Sequence, residues 1–219
     1  MSAHKPLVIL GAGGHAKVLL SLVQSAGFDV LGVCDPVLAD QAGGQWRGIS
    51  ILGGDSALDA LDPGSIELVN GLGQLVGGTV RQKVFKRLSA RGFRFPVLVH
   101  PRAWVDSTAS LGEGVQIMAG VIIQADVVIG ANSIINTCAG IDHDCRLGED
   151  VHVAPGATLC GSVQVENAAF IGSGATVIQG LKVGTEAVVG AGATLTRNLE
   201  ARQVLFGPAG RKKDAPKED

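Results

Sequence analysis

The chain of 219 residues has no tyrosine, two tryptophans and six phenylalanines. Aromatics are 4% of it while hydrophobic residues are 46%, so its interior must be filled by aliphatic side chains and alanine. A thin interior that excludes rings meets that description. The four cysteines, Cys34, Cys138, Cys145 and Cys160, form no Cys-x-x-Cys pair. Their scatter argues against a disulfide framework and suits a reducing compartment, so a cytoplasmic protein is expected. No uninterrupted apolar run reaches the roughly 18–20 residues that span a bilayer, although mean hydropathy is +0.33. The apolar start, Leu7 to Leu10, is broken at once by Gly11, Gly13 and Gly14, which reads as a buried strand and a turn rather than a signal peptide. A net charge of −2 gives no basic face for nucleic acid. Neither a membrane nor a nucleic acid is an expected partner.

What the chain does have is glycine, 32 of them, and a period. From Val105 to Glu200 it divides into sixteen consecutive blocks of six, and each block opens with Val, Ile or Leu. Four residues after each opener, from Ala109 to Leu199, the side chain is small or aliphatic, with Ser133 and Cys145 the only departures. A period of six fits neither an amphipathic helix nor a plain strand, and it predicts a solenoid of short strands joined by corners. If three blocks make one triangular coil, residues 18 apart stack directly.

Before the repeat the pattern is strand, helix, strand. Leu7 to Leu10 reads as a strand, Val18 to Val23 as a helix ending by Gly27, Val30 to Cys34 and Ile66 to Asn70 as further strands, and Val80 to Ala90 as a second helix. This order predicts a small Rossmann-like parallel sheet with nucleotide-binding character. Gly11-x-Gly13-x-x-Ala16 matches the relaxed dinucleotide fingerprint, and Asp35 lies where a ribose-binding acid is expected. Two readings stand: the bare glycines admit a phosphate to the helix amino end, or they only make a tight turn. An NAD site is disfavoured because about 100 residues is short for two mononucleotide halves. The expected division is an α/β nucleotide-binding domain at 1–100, an all-β solenoid at 101–206 and a charged tail at 207–219.

Two histidines stand out in the repeat. His143 lies in Ile141-Asp142-His143-Asp144-Cys145, and His152 follows nine residues later, half a circuit around the same coil. Both fall outside the aliphatic interior. A histidine between two aspartates can act as a general base, since a carboxylate fixes its tautomer and stabilises the imidazolium; which aspartate does so is open. The plainer reading makes both histidines surface residues on a polar corner. Half a circuit apart, they share no common centre in one chain, so no metal is expected. His143 of one subunit facing His152 of the next would make the assembly part of the site. A solenoid serving only as a trimeric scaffold is the non-catalytic alternative.

Taken together, the ILGAGGHAK start, the unbroken hexads, the IDHDC and EDVHVAPGA segments and the closing FGPAGRK resemble the left-handed β-helix acyltransferases of bacterial sugar pathways. The resemblance covers nearly the whole chain and is nearest to the NeuD, PglD and PerB types. It implies a left-handed parallel β-helix, a homotrimer, and acetyl-CoA lying in grooves between adjacent helices. It implies N-acetylation of a nucleotide-linked 4-amino-4,6-dideoxysugar, GDP-perosamine in the first instance, with O-acetylation of sialic acid as the alternative. By the same resemblance His143 is the base and Asp144 its acidic support, where relatives often carry Glu. Asn136 contacts the sugar amine. His152, Gly161 and Ala191 line the acetyl-CoA groove, and Gly13, Gly14, His15, Asp35, Pro36 and Gly73 the nucleotide-sugar pocket. The family commonly ends its helix with Gly-x-Pro-Ala-Lys/Arg, a pattern altered here at Phe206 to Arg211; contacts of Arg211, Lys212 or Lys213 with the CoA phosphate are a further expectation.

Overall fold

A computed structural model describes residues 5–207. The tail beyond Gly207, with Arg211, Lys212 and Lys213, lies outside the described residues, so the expectations placed there are not addressed. The amino-terminal part is a five-stranded sheet in the order β3-β4-β2-β1-β5, with β1 at Leu7–Leu10, β2 at Val30–Cys34, β3 at Gln45–Trp46, β4 at Ile49–Gly53 and β5 at Glu67–Asn70. All neighbours are parallel except β3 and β4. Strand β1 lies inside the sheet between β2 and β5 and is buried throughout, which is why it reads as an unbroken apolar run. Helix α1, Gly14–Ser25, makes the crossover to β2 and buries Ala16, Leu19, Leu20, Leu22 and Val23. Helix α2, Val80–Ala90, follows β5.

The sequence reading finds β1, β2, β5 and both helices but not the β3–β4 hairpin. Its loop, Arg47-Gly48, has positive φ at both residues, the geometry of a two-residue hairpin turn. Arginine gives that turn no sequence signal.

The repeat folds as expected into two-residue parallel strands on three faces, each strand up to the last coil paired with the one 18 residues on: Ile122 with Gly140, Val128 with Arg146, Ile134 with His152; in the last coil the step shortens to 16, Val188 with Val204. We call these the Trp104, Arg146 and His152 faces, and among the described residues they hold six, five and seven strands. The third begins early, because Leu98–Val99 already pairs with Gln116–Ile117. Openers from Ile117 to Leu195 are buried, as are the residues four later from Val115 onward, apart from the partly buried Leu181. Three residues after each opener from Leu111 to Val189 the backbone turns through the left-handed region, at glycine or at Asp126, Asn132, Cys138, Asp144, Asp150, Ser162, Ala168 and Glu186. Gly, Asn and Asp tolerate that conformation best, so their frequency at this slot is the sequence signal of the corners.

The sheet domain sits on the His152 face through one buried polar seam. Arg81 of α2 is 2% exposed. Its Nη1 donates to the carbonyls of Asn70 and Leu72 at 2.8 Å, and its Nε and Nη2 to that of Asn132 at 3.3 Å. Asn70 Nδ2 donates to Asn132 Oδ1 at 3.2 Å, Asn132 Nδ2 to Asp150 Oδ1 at 2.6 Å, and Gln74 Nε2 to the Asp150 carbonyl at 2.8 Å. Burial lowers the Arg81 pKa to about 9, partly offset by Asp150, so the guanidinium remains charged at neutral pH.

Removing that cation takes a donor from the carbonyls of Asn70, Leu72 and Asn132, of which Asn70 keeps a bond from Gln116. Arg81→Ala is expected to lower unfolding free energy by about 2–4 kcal/mol in urea titrations. Arg81→Lys should recover little, because one ammonium cannot reproduce a planar fork spread over three residues. A wild-type denaturation midpoint in Arg81→Ala would show that the seam does not hold the domains.

Candidate active site

The glycine loop leaves β1 at Gly11, whose φ is +86° and whose N–H donates to the Cys34 carbonyl at 2.7 Å. Gly13 is the N-cap residue of α1, and a Cβ added at Gly13 or Gly14 would meet nothing within 4 Å. Open space over bare backbone at a helix amino end is what an anion needs. Asp35 ties this loop together: Oδ2 accepts from the Ala12 N–H and Oδ1 from the Val37 N–H, both at 2.7 Å. The aspartate that sequence spacing assigns to a ribose is thus first a clamp between the β1 and β2 ends, with Pro36 opening the 3₁₀ turn that it caps. A cavity of about 180 Å³ lies here, touching Gly11, Pro36 and Leu72. Gly73 stands across from His15, 3.5 Å from the His15 Cβ to a Cβ built on the glycine.

His15 reaches from α1 to the His152 face, where its Nε2 lies 2.8 Å from Gln116 Oε1. Two coils further, His152 packs against Phe170 with ring centroids 4.8 Å apart, and its Nε2 lies 3.4 Å from Asn136 Nδ2. The reading of His152 as a surface histidine on a corner is corrected here: it opens a strand and is only 8% exposed. The cause is the sheet domain, invisible in the repeat, which covers that face. Burial first, then the Arg81 charge, lowers the pKa of both His15 and His152 to about 4, so both are neutral at physiological pH.

His143 is different in every respect. It stands exposed on the corner between the Trp104 and Arg146 faces, opposite the His152 face. Its Nδ1 lies 2.8 Å from Asp144 Oδ2, and its N–H donates to Asp142 Oδ1 at 2.8 Å. The hydrogen bond that the ring donates to Asp144 and then the charge of Asp142 raise its pKa above the ordinary imidazole value. Of the two flanking aspartates, Asp144 contacts the ring and Asp142 holds the backbone. The short Asp144 side chain reaches because its own φ is 61°, which folds the corner back on itself.

Gly161 lies one coil below His143. A Cβ there would stand 2.7 Å from His143 Cε1 and 2.8 Å from Nε2, so this glycine is the floor on which the ring lies. Ala191 is exposed three coils beyond Thr137, on the corner that begins at Asn136. In one chain, therefore, His15, Gln116, Asn136 and His152 gather on one side, and His143, Asp144 and Gly161 on another. A second cleft of about 400 Å³, lined by the 74–79 loop, Phe170, Val188 and Val204, touches none of the expected site residues. Among the described residues no cluster of His, Cys, Asp and Glu has the arrangement of a metal site.

Sequence reasoning missed Gln116 and Arg81. Gln116 had a usable signal, a polar residue on a face whose next outward position is Ile134. Arg81, at the start of a charged helix, had none.

Residues 6–88 match the PglD N-terminal domain family, 108–143 and 126–161 the bacterial transferase hexapeptide family, and 162–197 the hexapeptide repeat of succinyl-transferase. The acetyltransferase domain of PglB from Neisseria gonorrhoeae FA1090 is 32% identical with a TM-score of 0.85, over 93% of this chain and 97% of that one. PerB from Caulobacter crescentus, solved with CoA and GDP-perosamine, is 39% identical with a TM-score of 0.83, over 92% and 94%. This chain belongs to the PglB and PerB family of hexapeptide-repeat sugar N-acetyltransferases. Membership carries the left hand of the coil with it. GDP-perosamine N-acetyltransferase of Escherichia coli O157:H7 is 32% identical over 92 residues, a match that spans 42% of each chain.

Two measurements follow from this geometry. His15 and His152 bind protons more weakly folded than unfolded, so the stability that they contribute is complete above the unfolded value of 6.5 and is lost as pH falls towards about 4. Acidification from about pH 7 to about pH 4 should remove on the order of 2–3 kcal/mol per histidine. A urea midpoint that stays flat across that range would rule out two buried neutral imidazoles. Gly161→Ala should displace the exposed His143 ring, cutting kcat at least about tenfold with little change in Tm; full kcat in that variant would deny the glycine its role as floor.

Proposed function

We propose that the protein transfers the acetyl group of acetyl-CoA to the amine of a nucleotide-linked 4-amino-4,6-dideoxysugar, GDP-perosamine being the best-supported acceptor. The observation that carries this is the exposed His143–Asp144 pair, 2.8 Å apart on a hexapeptide coil, joined to a PglD-type domain and resembling PerB solved with both CoA and GDP-perosamine. The sheet domain, residues 1–100, binds the nucleotide sugar; the coil, 101–206, carries the transfer.

His143, its Nδ1 occupied by Asp144, offers Nε2 as general base. It takes the proton that the amine sheds as nitrogen forms its bond to the acetyl carbon, and passes that proton to the departing CoA sulfur as the C–S bond breaks, which returns the imidazole to its neutral form. The thioester is already activated, so positioning and base catalysis suffice and no acyl-enzyme is required. Asn136 orients the amine. His152, Gly161 and Ala191 border the acetyl-CoA groove, while main-chain N–H groups at Gly13, Gly14 and His15 receive the phosphates and Asp35, Pro36 and Gly73 frame the remainder of the nucleotide sugar.

Because His143 sits across the prism from Asn136 and His152, the reaction needs a second copy to bring base and acceptor together. A homotrimer with sites between subunits satisfies this. The exposed apolar pair Trp104 and Ile122, stacked on adjacent coils beside the His143 corner, supports that face as a subunit contact. No described helix is long and apolar enough to cross a membrane, and both substrates are cytoplasmic in kind, so we assign the protein to the cytoplasm.

Release of free thiol from acetyl-CoA, followed with a panel of GDP- and UDP-linked 4-amino sugars and with sialic acid, tests the assignment; turnover of sialic acid alone would overturn it. His143→Ala should lower kcat by about 10²–10⁴-fold with nucleotide-sugar KM nearly unchanged. Asp144→Asn removes the group that raises the His143 pKa, so the acidic limb of the kcat/KM profile should move to lower pH while the maximum falls. An unmoved limb would separate Asp144 from the base.

A further inference from the structure

The buried polar seam fixes which nitrogen of His15 carries its proton. Gln116 is 1% exposed, and its Nε2 donates to the Asn70 carbonyl at 2.9 Å, an oxygen that also accepts from Arg81 Nη1. A carbonyl only accepts, so the amide NH₂ of Gln116 must face Asn70 and its Oε1 must face His15. With Oε1 2.8 Å from His15 Nε2, that nitrogen has to be the N–H donor, since two lone pairs would repel at this distance. His15 Nδ1 has no protein partner among the described residues and is not sealed from solvent. It lies in the first turn of α1, beside the exposed Gly13 and Gly14.

We propose that Gln116 is a positioning residue that locks His15 as the Nε2–H tautomer, so that Nδ1 accepts a hydrogen bond from the sugar of the bound nucleotide sugar, an amine or a hydroxyl, and does not pair with its phosphates. Burial and then the Arg81 charge on α2 oppose protonation of the ring, and His152 on the facing coil, itself neutral at physiological pH, would oppose it further if protonated; the Gln116 contact alone favours it. Asp150, the nearest acid in the seam, is turned to Asn132 and to the Arg81 charge. A histidine after two phosphate-loop glycines would ordinarily be assigned to the phosphates. Here its only free atom is a lone pair, which repels an anion and receives a donor. The sugar rather than the base supplies that donor, because His15 lies on the side where Asn136 and His152 meet.

The ligand half of this inference rests on the function proposed above; the tautomer does not. Long-range ¹H–¹⁵N spectra of the full chain, with the ring assigned by its loss in His15→Asn, should show protonated Nε2 and bare Nδ1 from about pH 5.5 to about pH 8. An Nδ1–H tautomer or a titration in that range would overturn the lock. Addition of GDP-perosamine should shift Nδ1 towards a hydrogen-bonded value, and GDP alone should not; an equal response to GDP would overturn the sugar contact. Gln116→Leu should raise nucleotide-sugar KM about tenfold with acetyl-CoA KM unchanged, and it should mix the tautomers. If no amino sugar is turned over while the ligand-free spectrum shows the lock, the proposed function fails and the role of Gln116 stands.

Discussion

A single guanidinium, that of Arg81, sits where the two halves of the molecule meet, and most of the site depends on it. Buried without a directly bonded carboxylate, it is held by carbonyls of Asn70 and Leu72 from one half and Asn132 from the other. A buried charge is tolerated only if its donors are met, so those three carbonyls must converge. Their convergence sets the path of the loop from Asn70 to Gly73 and seats it on the coil. The same charge adds to burial in keeping His15 and His152 neutral. One residue thus supplies alignment between domains and the electrostatic bias inside the pocket.

The repeat was legible because its physics is local. Each hexad spends one residue on the interior stack, one on a small interior filler and one on a left-handed corner, and every coil repeats the demand. Ser133, the hydroxyl among the fillers, is explained by what it bonds: its Oγ accepts from the Val151 N–H and donates to the Gly148 carbonyl. The seam was illegible for the opposite reason. Arg81, Asn70, Asn132 and Gln116 are far apart in sequence, and each is an ordinary polar residue in its own element. Only docking of the sheet domain makes them a network, and only docking explains why His152 is buried while His143, nine residues away on the same coil, is not.

That difference suits the histidines to different tasks. Desolvation and a nearby cation push His15 and His152 towards the neutral form, whereas Asp144 and Asp142 pull His143 towards the charged one. Groups whose environments drive their proton affinities apart are suited to different roles. A neutral imidazole whose second nitrogen is already bonded is a directional acceptor, good for orienting a substrate. An exposed imidazole backed by a carboxylate is a place to deposit a proton.

The stacking that makes the coil also limits what any corner can hold. Residues 18 apart lie directly above one another, so a ring as large as that of His143 can lie along the coil only if its successor yields the space, and Gly161 yields it. Elsewhere on the same corner Asp126, Ser162 and Gly180 take the left-handed slot that Asp144 fills, and none has an imidazole as its preceding neighbour. The coil has repeated the corner several times and built the pair once, by combining a ring, a carboxylate at a left-handed position, and a glycine one circuit on. A regular scaffold therefore acquires a unique site by changing three residues whose positions the repeat itself fixes relative to one another, two adjacent and the third a single coil away.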